Sequence, residues 1–330
     1  MRAFLFRRLL TLIATLAGTS VVVFLVLDLL PGNAAQVLMG ADASPEAVAA
    51  LAARLGLNQP AWERYLHWIV GLFTGQLGDS ASYGAPVWGL ITERLALTVP
   101  LALMAMLLAT VLALVVGIAA AARHNRAGDT LLMGLAQLGI ALPNFWLAIL
   151  LILVFSVKLH WFSAGGFDGW GDSAASVLQG VKALLLPAVA LALVQGAILA
   201  RFTRSAVLEV MREDFVRTAR AKGLSRRAVL WRHVLRNAMV PLITVMGMQF
   251  AELLAGTIVV ENVFYLPGLG RLIFQAISNR DLVVVRNCVM LLAAMVVTVN
   301  FIVDLLYAVI DPRMRAAGSV PAAANGAAQP

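Results

Sequence analysis

Six long apolar runs, at 9–30, 98–121, 130–157, 184–202, 238–260 and 285–310, constrain this chain more than any motif in it. A helix crosses about 30 Å of hydrocarbon in roughly 20 residues, and in lipid only a helix satisfies its backbone polar groups within one segment. The predicted fold class is therefore all-α integral membrane, with six transmembrane helices. Composition agrees: 61% of the 330 residues are apolar and 13% charged, too oily for a soluble domain of this length. The formal charge of +8 does not indicate nucleic-acid binding, because the cations sit in short loops and not on a face interleaved with aromatics.

Charge placement orients the runs. Arg2, Arg7 and Arg8 precede the first, which exceeds a signal-peptide core and ends without a small-x-small cleavage site. It reads as an uncleaved anchor with residues 1–8 in the cytoplasm. Arg123, His124 and Arg126 follow the second run, and Arg313 and Arg315 the sixth, so both termini are expected in the cytoplasm of a multi-pass protein. The lone Cys288 lies inside an apolar run and reads as a buried, inert thiol.

The largest polar landmark is the loop 203–237. From Arg201 to Arg236 there are ten Lys and Arg side chains against three carboxylates, Glu209, Glu213 and Asp214. Asp214 to Lys222 reads as a short helix, with Arg220 and Lys222 suited to the negative end of its dipole and Gly223 as its stop. Ser225 is a candidate N-cap for a second helix bearing Val229, Leu230, His233 and Val234 on one side, ahead of Pro241. A short helix with small residues at Ala219 and Ala221, held at the membrane face, has the shape to enter a cleft on a partner. The other reading of the same charges is a juxtamembrane loop that touches anionic lipid of the bilayer.

Between the first two runs, Ser44, Pro45 and Glu46 read as the start of a short helix that stops at Gly56. After Pro60, the residues Trp62, Tyr65, Leu66, Ile69, Leu72 and Phe73 recur at helical spacing. That stripe suits either the outer membrane interface or packing on the chain's own spans. Pro143 predicts a kink in the third run, and the outer loop 158–183 carries Trp161, Trp170 and glycines, as an interfacial turn does. The proline and glycines of 266–271 predict a tight turn, and the Ala/Pro/Gly-rich tail 316–330 is expected to be disordered.

Catalysis has little to work with. No Gly-x-x-x-x-Gly-Lys-Ser/Thr loop occurs, and the only lysines are Lys158, Lys182 and Lys222. His67, His124, His160 and His233 lack metal-ligand spacing, and there is no Gly-x-Ser-x-Gly nucleophile motif. The chain reads as a non-catalytic subunit with no cofactor or metal of its own. Ionisable residues inside apolar runs are costly and mark pathways or pairings: Asp28 and Asp304 near run ends, and Glu252 deeper. Joined as an ion relay, these three would suit a stand-alone secondary transporter.

The segments Arg217-Thr-Ala-Arg-Ala-Lys-Gly-Leu224 and His233-Val-Leu-Arg-Asn-Ala-Met-Val-Pro241 resemble the signature loop of ABC importer permeases, more narrowly the dipeptide, oligopeptide and nickel branch. Arg217 and Thr218 stand where the broad importer pattern has Glu and Ala, and the proline comes late, both as in the peptide branch. Further similar landmarks follow in family order: Leu30-Pro-Gly-Asn33, Leu55-Gly-Leu-Asn-Gln-Pro60, Gln76-Leu-Gly-Asp-Ser80, Pro143-Asn-Phe-Trp146, Val260-Glu-Asn-Val-Phe264, Leu266-Pro-Gly-Leu-Gly-Arg271, Ser278-Asn-Arg-Asp281 and the closing run from Asp304 to Arg315. Asn33 and Asn58 replace aspartates usual in that branch, and the loop 158–183 is shorter than in dipeptide-type relatives.

The resemblance implies the type I ABC importer permease fold, with a permease domain over 9–315 of a bacterial inner-membrane protein that forms half of a channel. The partners it implies are a second homologous permease subunit, two ABC ATPase subunits that bind ATP and Mg, and a periplasmic substrate-binding protein. It also implies a coupling helix that docks on the ATPase, formed by Asp214, Phe215, Arg217, Thr218, Ala219, Arg220, Ala221, Lys222, Gly223 and Leu224. Asn144, within the Pro-x-Phe-Trp pattern, joins Glu252, Asp28 and Asp304 as a candidate for the translocation path. Peptides are the first cargo implied. Nickel or a nickel chelate is the alternative, since Glu252-Leu-Leu-Ala-Gly-Thr257 is compatible with nickel-type relatives.

Overall fold

The computed structural model describes residues 2–29, 43–54 and 58–310. The landmark at 30–33, the expected helix stop at Gly56, the closing residues 311–315 and the tail 316–330 lie outside the described residues. The elements are α1 (Arg2–Leu29), α2 (Pro45–Arg54), α3 (Ala61–Thr74), α4 (Val87–Ala122), α5 (Ala127–Ala141) and α6 (Asn144–Leu151), which continues as a π-helix over Ile152–Lys158. Then come α7 (Ala174–Val210), α8 (Asp214–Ala221), α9 (Arg226–Val229), a π-helical stretch Leu230–Val234, α10 (Leu235–Val263), α11 (Leu269–Ser278) and α12 (Leu282–Ile310).

Small residues four apart decide which helices meet. Ala105, Ala109, Ala113, Gly117 and Ala121 line one face of α4, and Ala188, Ala192, Gly196 and Ala200 line one face of α7; all are buried. With small residues facing the crossing, the two backbones close up, as helices in lipid do when packing and not water drives association. A Cβ on Gly117 would lie 2.6 Å from Thr203 Cβ and 2.7 Å from the Ala200 carbonyl oxygen. The buried Gln249 then donates through Nε2 to Gln195 Oε1 at 2.6 Å, tying α10 to α7.

The helices overrun the apolar runs. Expected at 184–202, α7 spans Ala174–Val210, because its hydrogen-bond ladder continues to a capping box between Ser173 and Ser176. Hydropathy marks only the stretch at lipid depth. The second helix of the basic loop likewise does not stop before Pro241 but is continuous with α10 from Arg226 to Val263.

The run 130–157 is not one continuous helix. Pro143 and the extended Leu142 (φ −91°, ψ 129°) separate α5 from α6, and the two halves are bent by 101°. Proline cannot donate to the ladder and disfavours helical geometry in the residue before it, so the helix breaks where only a kink was predicted. The pair still traverses the bundle. It starts at the end where α1 begins, the near end, and its following loop 159–173 reaches the far end. There Gly166 N–H donates to the Phe264 carbonyl at 3.1 Å, and Trp170 Nε1 to the Ala96 carbonyl at 2.6 Å. Five helices are individually long and apolar enough to cross a membrane, and this broken pair makes six.

The aromatic helix α3 packs one side of its stripe on the chain's own spans. Tyr65, Trp68, Ile69 and Leu72 pack against α1 and α12; Tyr65 Oη and Ser20 Oγ share a 2.8 Å hydrogen bond, and Trp68 Nε1 donates to Asn287 Oδ1 at 2.9 Å. Trp62, Leu66, Val70 and Phe73 are exposed on the opposite side. At the near end, Arg204 grips the buried Asp129 through Nε and Nη2, each at 2.7 Å, joining the start of α5 to α7.

The small-residue seam predicts a sharp contrast between glycines. Gly117→Val should lower the stability of the detergent-purified protein by about 1–3 kcal/mol or more, since overpacking a close helix crossing forces the backbones apart. Gly18→Ala, with nothing within 4 Å of the new methyl, should leave it unchanged. Thermal melts of the two variants check this, and equal melting temperatures would refute the seam.

Candidate functional site

The helix α8 forms a shelf at the near end. Gly223, at φ 84°, ends it in a Schellman motif: Gly223 N–H donates to the Arg220 carbonyl at 3.0 Å and Leu224 N–H to the Ala219 carbonyl at 3.3 Å. Ser225 Oγ then accepts from Ala228 N–H at 3.3 Å and starts α9, so the chain turns a corner between α8 and the long helix that begins at Arg226, with the cap its sequence predicts. Val216 and Ala219 are buried with Ala121, Val207, Val229 and Val234, which seats α8 on the ends of α4, α7 and α9.

The outer side of α8 carries Asp214, Arg217, Thr218, Arg220, Ala221 and Lys222, with Phe215 41% exposed among them. Ala219 is the exception to the expected coupling set. At 6% exposure it packs inward, so its small size serves the seat of the helix in this chain. Leu224 is half-buried in the same cluster.

The four path candidates do not come together. Asp28 pairs with Arg64 at 2.7 Å toward the far end, and Asp304 with Arg8 at 2.8 Å at the near end. Arg8 and Asp28 lie 20 residues apart on α1, about 30 Å along the helix, so the carboxylates form no relay. Glu252 is exposed on a face of α10 shared with Met248, Ala255 and Val259. Asn144 starts α6 after the break, beside Gly256 one turn along α10 from Glu252; its Oδ1 is buried without a hydrogen-bond partner.

Sequence reasoning missed the most buried carboxylate. Glu261 was counted with the loop after α10, yet it is fully buried and closes a polar cluster at the far end. Thr98 Oγ1 donates to its Oε1 at 2.6 Å, while Gly270 N–H and Arg271 N–H donate to Oε2 at 2.7 and 3.3 Å. Leu269 N–H donates to Thr98 Oγ1 at 2.8 Å, so the first three amides of α11 are satisfied by side chains of α4 and α10. The tight turn predicted at 266–271 is present, centred on Pro267, with Gly268 N–H donating to the Leu266 carbonyl at 2.8 Å, but neither glycine needs a left-handed conformation to make it. Gly268 is extended, the left-handed residue is Tyr265 (φ 52°), and a Cβ on Gly268 or Gly270 would strike the Glu261 carboxylate or Ile258. A carboxylate one residue beyond an apolar run, followed by paired glycines, is the signal that could have found this cluster.

Broken and continuous spanning helices, a basic two-helix corner at one end and a capped helix folded back at the other define a multi-pass helical membrane protein. The comparison with known families carries this further. Residues 113–316 match the binding-protein-dependent transport system inner membrane component family, and residues 1–102 match the N-terminal region of the same kind of membrane component. The chain belongs to that family.

Three relatives span nearly all of it. It is similar to the dipeptide transport system permease protein DppB of Alkalihalophilus pseudofirmus, 40% identical over 96% of this chain and 100% of that one. A putative peptide transport system permease protein of Brucella abortus is 42% identical over 96% and 99% of the two chains. The dipeptide transport system permease protein DppB of Escherichia coli K12 is 39% identical over 96% and 99%.

The polar cluster at the far end predicts a measurable coupling. Glu261→Ala strands three donors in an apolar setting and should cost about 3 kcal/mol or more, whereas Thr98→Val should cost less. Melts of both single variants and the double variant test this. Additive losses would show that the two side chains do not act as one unit.

Proposed function

We propose that this chain is one of two permease subunits of an ATP-driven peptide importer in the bacterial inner membrane, and that α8 couples it to the ATPase. The names of the matching relatives support peptides as cargo, and none of the three names nickel. The near end, with Arg7, Arg8, the 123–126 turn and the basic loop, faces the cytoplasm, which puts both termini there. The far end faces the periplasm and the substrate-binding protein. A second homologous permease covers the exposed α10 face around Glu252 and completes the channel. ATP and Mg belong to two partner ATPase subunits, since the sequence holds no phosphate-cradling loop.

The observation that carries this reading is the two-sidedness of α8. One side is locked into the bundle by Val216 and Ala219, and the other presents Phe215 with Arg217, Arg220 and Lys222. Force applied to that outer side reaches the spans because α8 turns directly into the continuous helix Arg226–Val263. At the far end of that helix Glu261 holds α11, so tilting α10 also moves the outer mouth. Charge in this loop that only touched lipid would not need so firmly seated a helix.

Arg217→Glu with Arg220→Glu should leave the melting temperature of the isolated permease unchanged, because both side chains are exposed on it. It should abolish the stimulation of ATP hydrolysis by loaded binding protein. Ala219→Leu, by contrast, should lower both. Full stimulation in the double charge reversal would eliminate α8 as the coupling element.

A further inference from the structure

A cleft of about 230 Å³ opens at the far end beside the Glu261 cluster, lined by Arg94 of α4, by Arg271, Leu272 and Gln275 of α11, and by Pro267 and Gly268. Both of its guanidinium groups have unused donors. Arg94 Nη1 makes one long bond, 3.4 Å, to the Pro267 carbonyl, and its buried Nε has no hydrogen-bond partner. Arg271 Nη1 donates to the Tyr265 carbonyl at 2.7 Å, and its guanidinium carbon sits 5.1 Å from the Tyr265 ring centre. Among the described residues neither arginine forms a salt bridge. Glu261, behind Gly268, is already engaged by Thr98 and two backbone amides.

The third polar group fits the same chemistry. Gln275 Oε1 accepts from Tyr83 Oη at 2.8 Å, which leaves its amide NH₂ free to donate toward the cleft. Two planar cations and an amide donor around one small opening match a planar carboxylate, which accepts two parallel N–H bonds from a guanidinium. A phosphate-sized anion would find the same charge. A cargo peptide, however, brings a carboxylate that must be stripped of water to enter the path, and a cationic pair at the mouth offsets that cost.

We propose that this cleft receives the C-terminal carboxylate of a cargo peptide as it leaves the binding protein, an assignment that rests on the peptide reading above. Arg94 and Arg271 hold the carboxylate, and Gln275 orients it. Because Gly268 and the first turn of α11 form the cleft wall, the site opens or narrows whenever α11 shifts against α4. A carboxylate on the docked binding protein offers the same chemistry, so the test must separate the two sources.

The complete importer, with both permeases, its ATPases and its binding protein, is reconstituted in proteoliposomes. Uptake of a tripeptide and of its C-terminal amide is measured with the binding protein saturated by each. Two variants are compared with wild type: Arg94→Gln/Arg271→Gln, and Gln275→Glu, which tethers a carboxylate in the cleft and keeps an acceptor for Tyr83. Wild type should transfer the amide at about a tenth of the free-acid rate or less, the loss expected for charge-assisted bonds. Both variants should lower free-acid uptake about tenfold, leave amide uptake alone, and keep wild-type stimulation of ATP hydrolysis by loaded binding protein. Equal wild-type rates for acid and amide, or unchanged acid uptake in both variants, would overturn the assignment. Loss of ATPase stimulation together with uptake would overturn it in favour of an acidic group on the binding protein. If wild type imports neither peptide but does import another solute, the peptide reading itself fails, and this site with it.

Discussion

Everything in this bundle is hung on the contact between α4 and α7. Neither helix has an aqueous driving force to bring it to the other once both are in lipid, so the association must come from packing at short range. Alanine and glycine every fourth residue provide it by letting backbone approach backbone along the whole crossing, from Ala105 and Ala192 through Gly117 and Ala200. Thr203, lodged against Gly117, turns its hydroxyl back to the Leu199 carbonyl at 2.7 Å and leaves no polar group unsatisfied in the seam. Two spans attach directly to this pair, α5 through Asp129 and Arg204 and α10 through Gln249 and Gln195, while α12 packs on α10 and α1 on α12.

Buried Thr203 and Thr257 return their hydroxyls to carbonyls of their own helices, but most of the larger buried polar side chains are closed across elements. Thr98 pairs with Glu261, Trp68 with Asn287, Ser80 with Asp281 and Gln195 with Gln249. A hydrogen bond in hydrocarbon adds about 0.6 to 2 kcal/mol to helix association, a modest amount for each pair. Their larger effect is on register, since a helix that slid by one residue would bury both partners unpaired. Glu252, which is exposed, and the buried, unpartnered Oδ1 of Asn144 lie about one turn apart on the α6 and α10 side of the bundle. Buried atoms without a hydrogen-bond partner also occur elsewhere, at the Nε of Arg64, Arg94 and Arg286 and the Oγ1 of Thr244.

The two ends use opposite devices. At the near end a glycine with positive φ allows an abrupt corner, and the short helix before it is seated by apolar contacts. At the far end the glycines matter for the side chains they lack, because Gly268 and Gly270 let α11 come down onto Glu261 and Ile258. The continuous helix from Arg226 to Val263 joins these ends, which makes the bundle a mechanical unit from the basic corner to the capped helix.

Much of this was legible in the residues. Run length and charge placement determined the class, the number of crossings and the corner at Gly223, because hydrophobic thickness, helix caps and positive φ are local requirements that a sequence must meet where they occur. Tertiary structure alone decided that α3 divides its aromatic stripe between packing and exposure, that Ala219 faces inward, and that Pro143 breaks its span. It also decided that a carboxylate placed just past an apolar run caps a helix eight residues later in the chain. Those outcomes depend on which side of a helix meets which neighbour. Periodicity reports that a helix has a face, but only the packing of all the helices at once determines what that face touches.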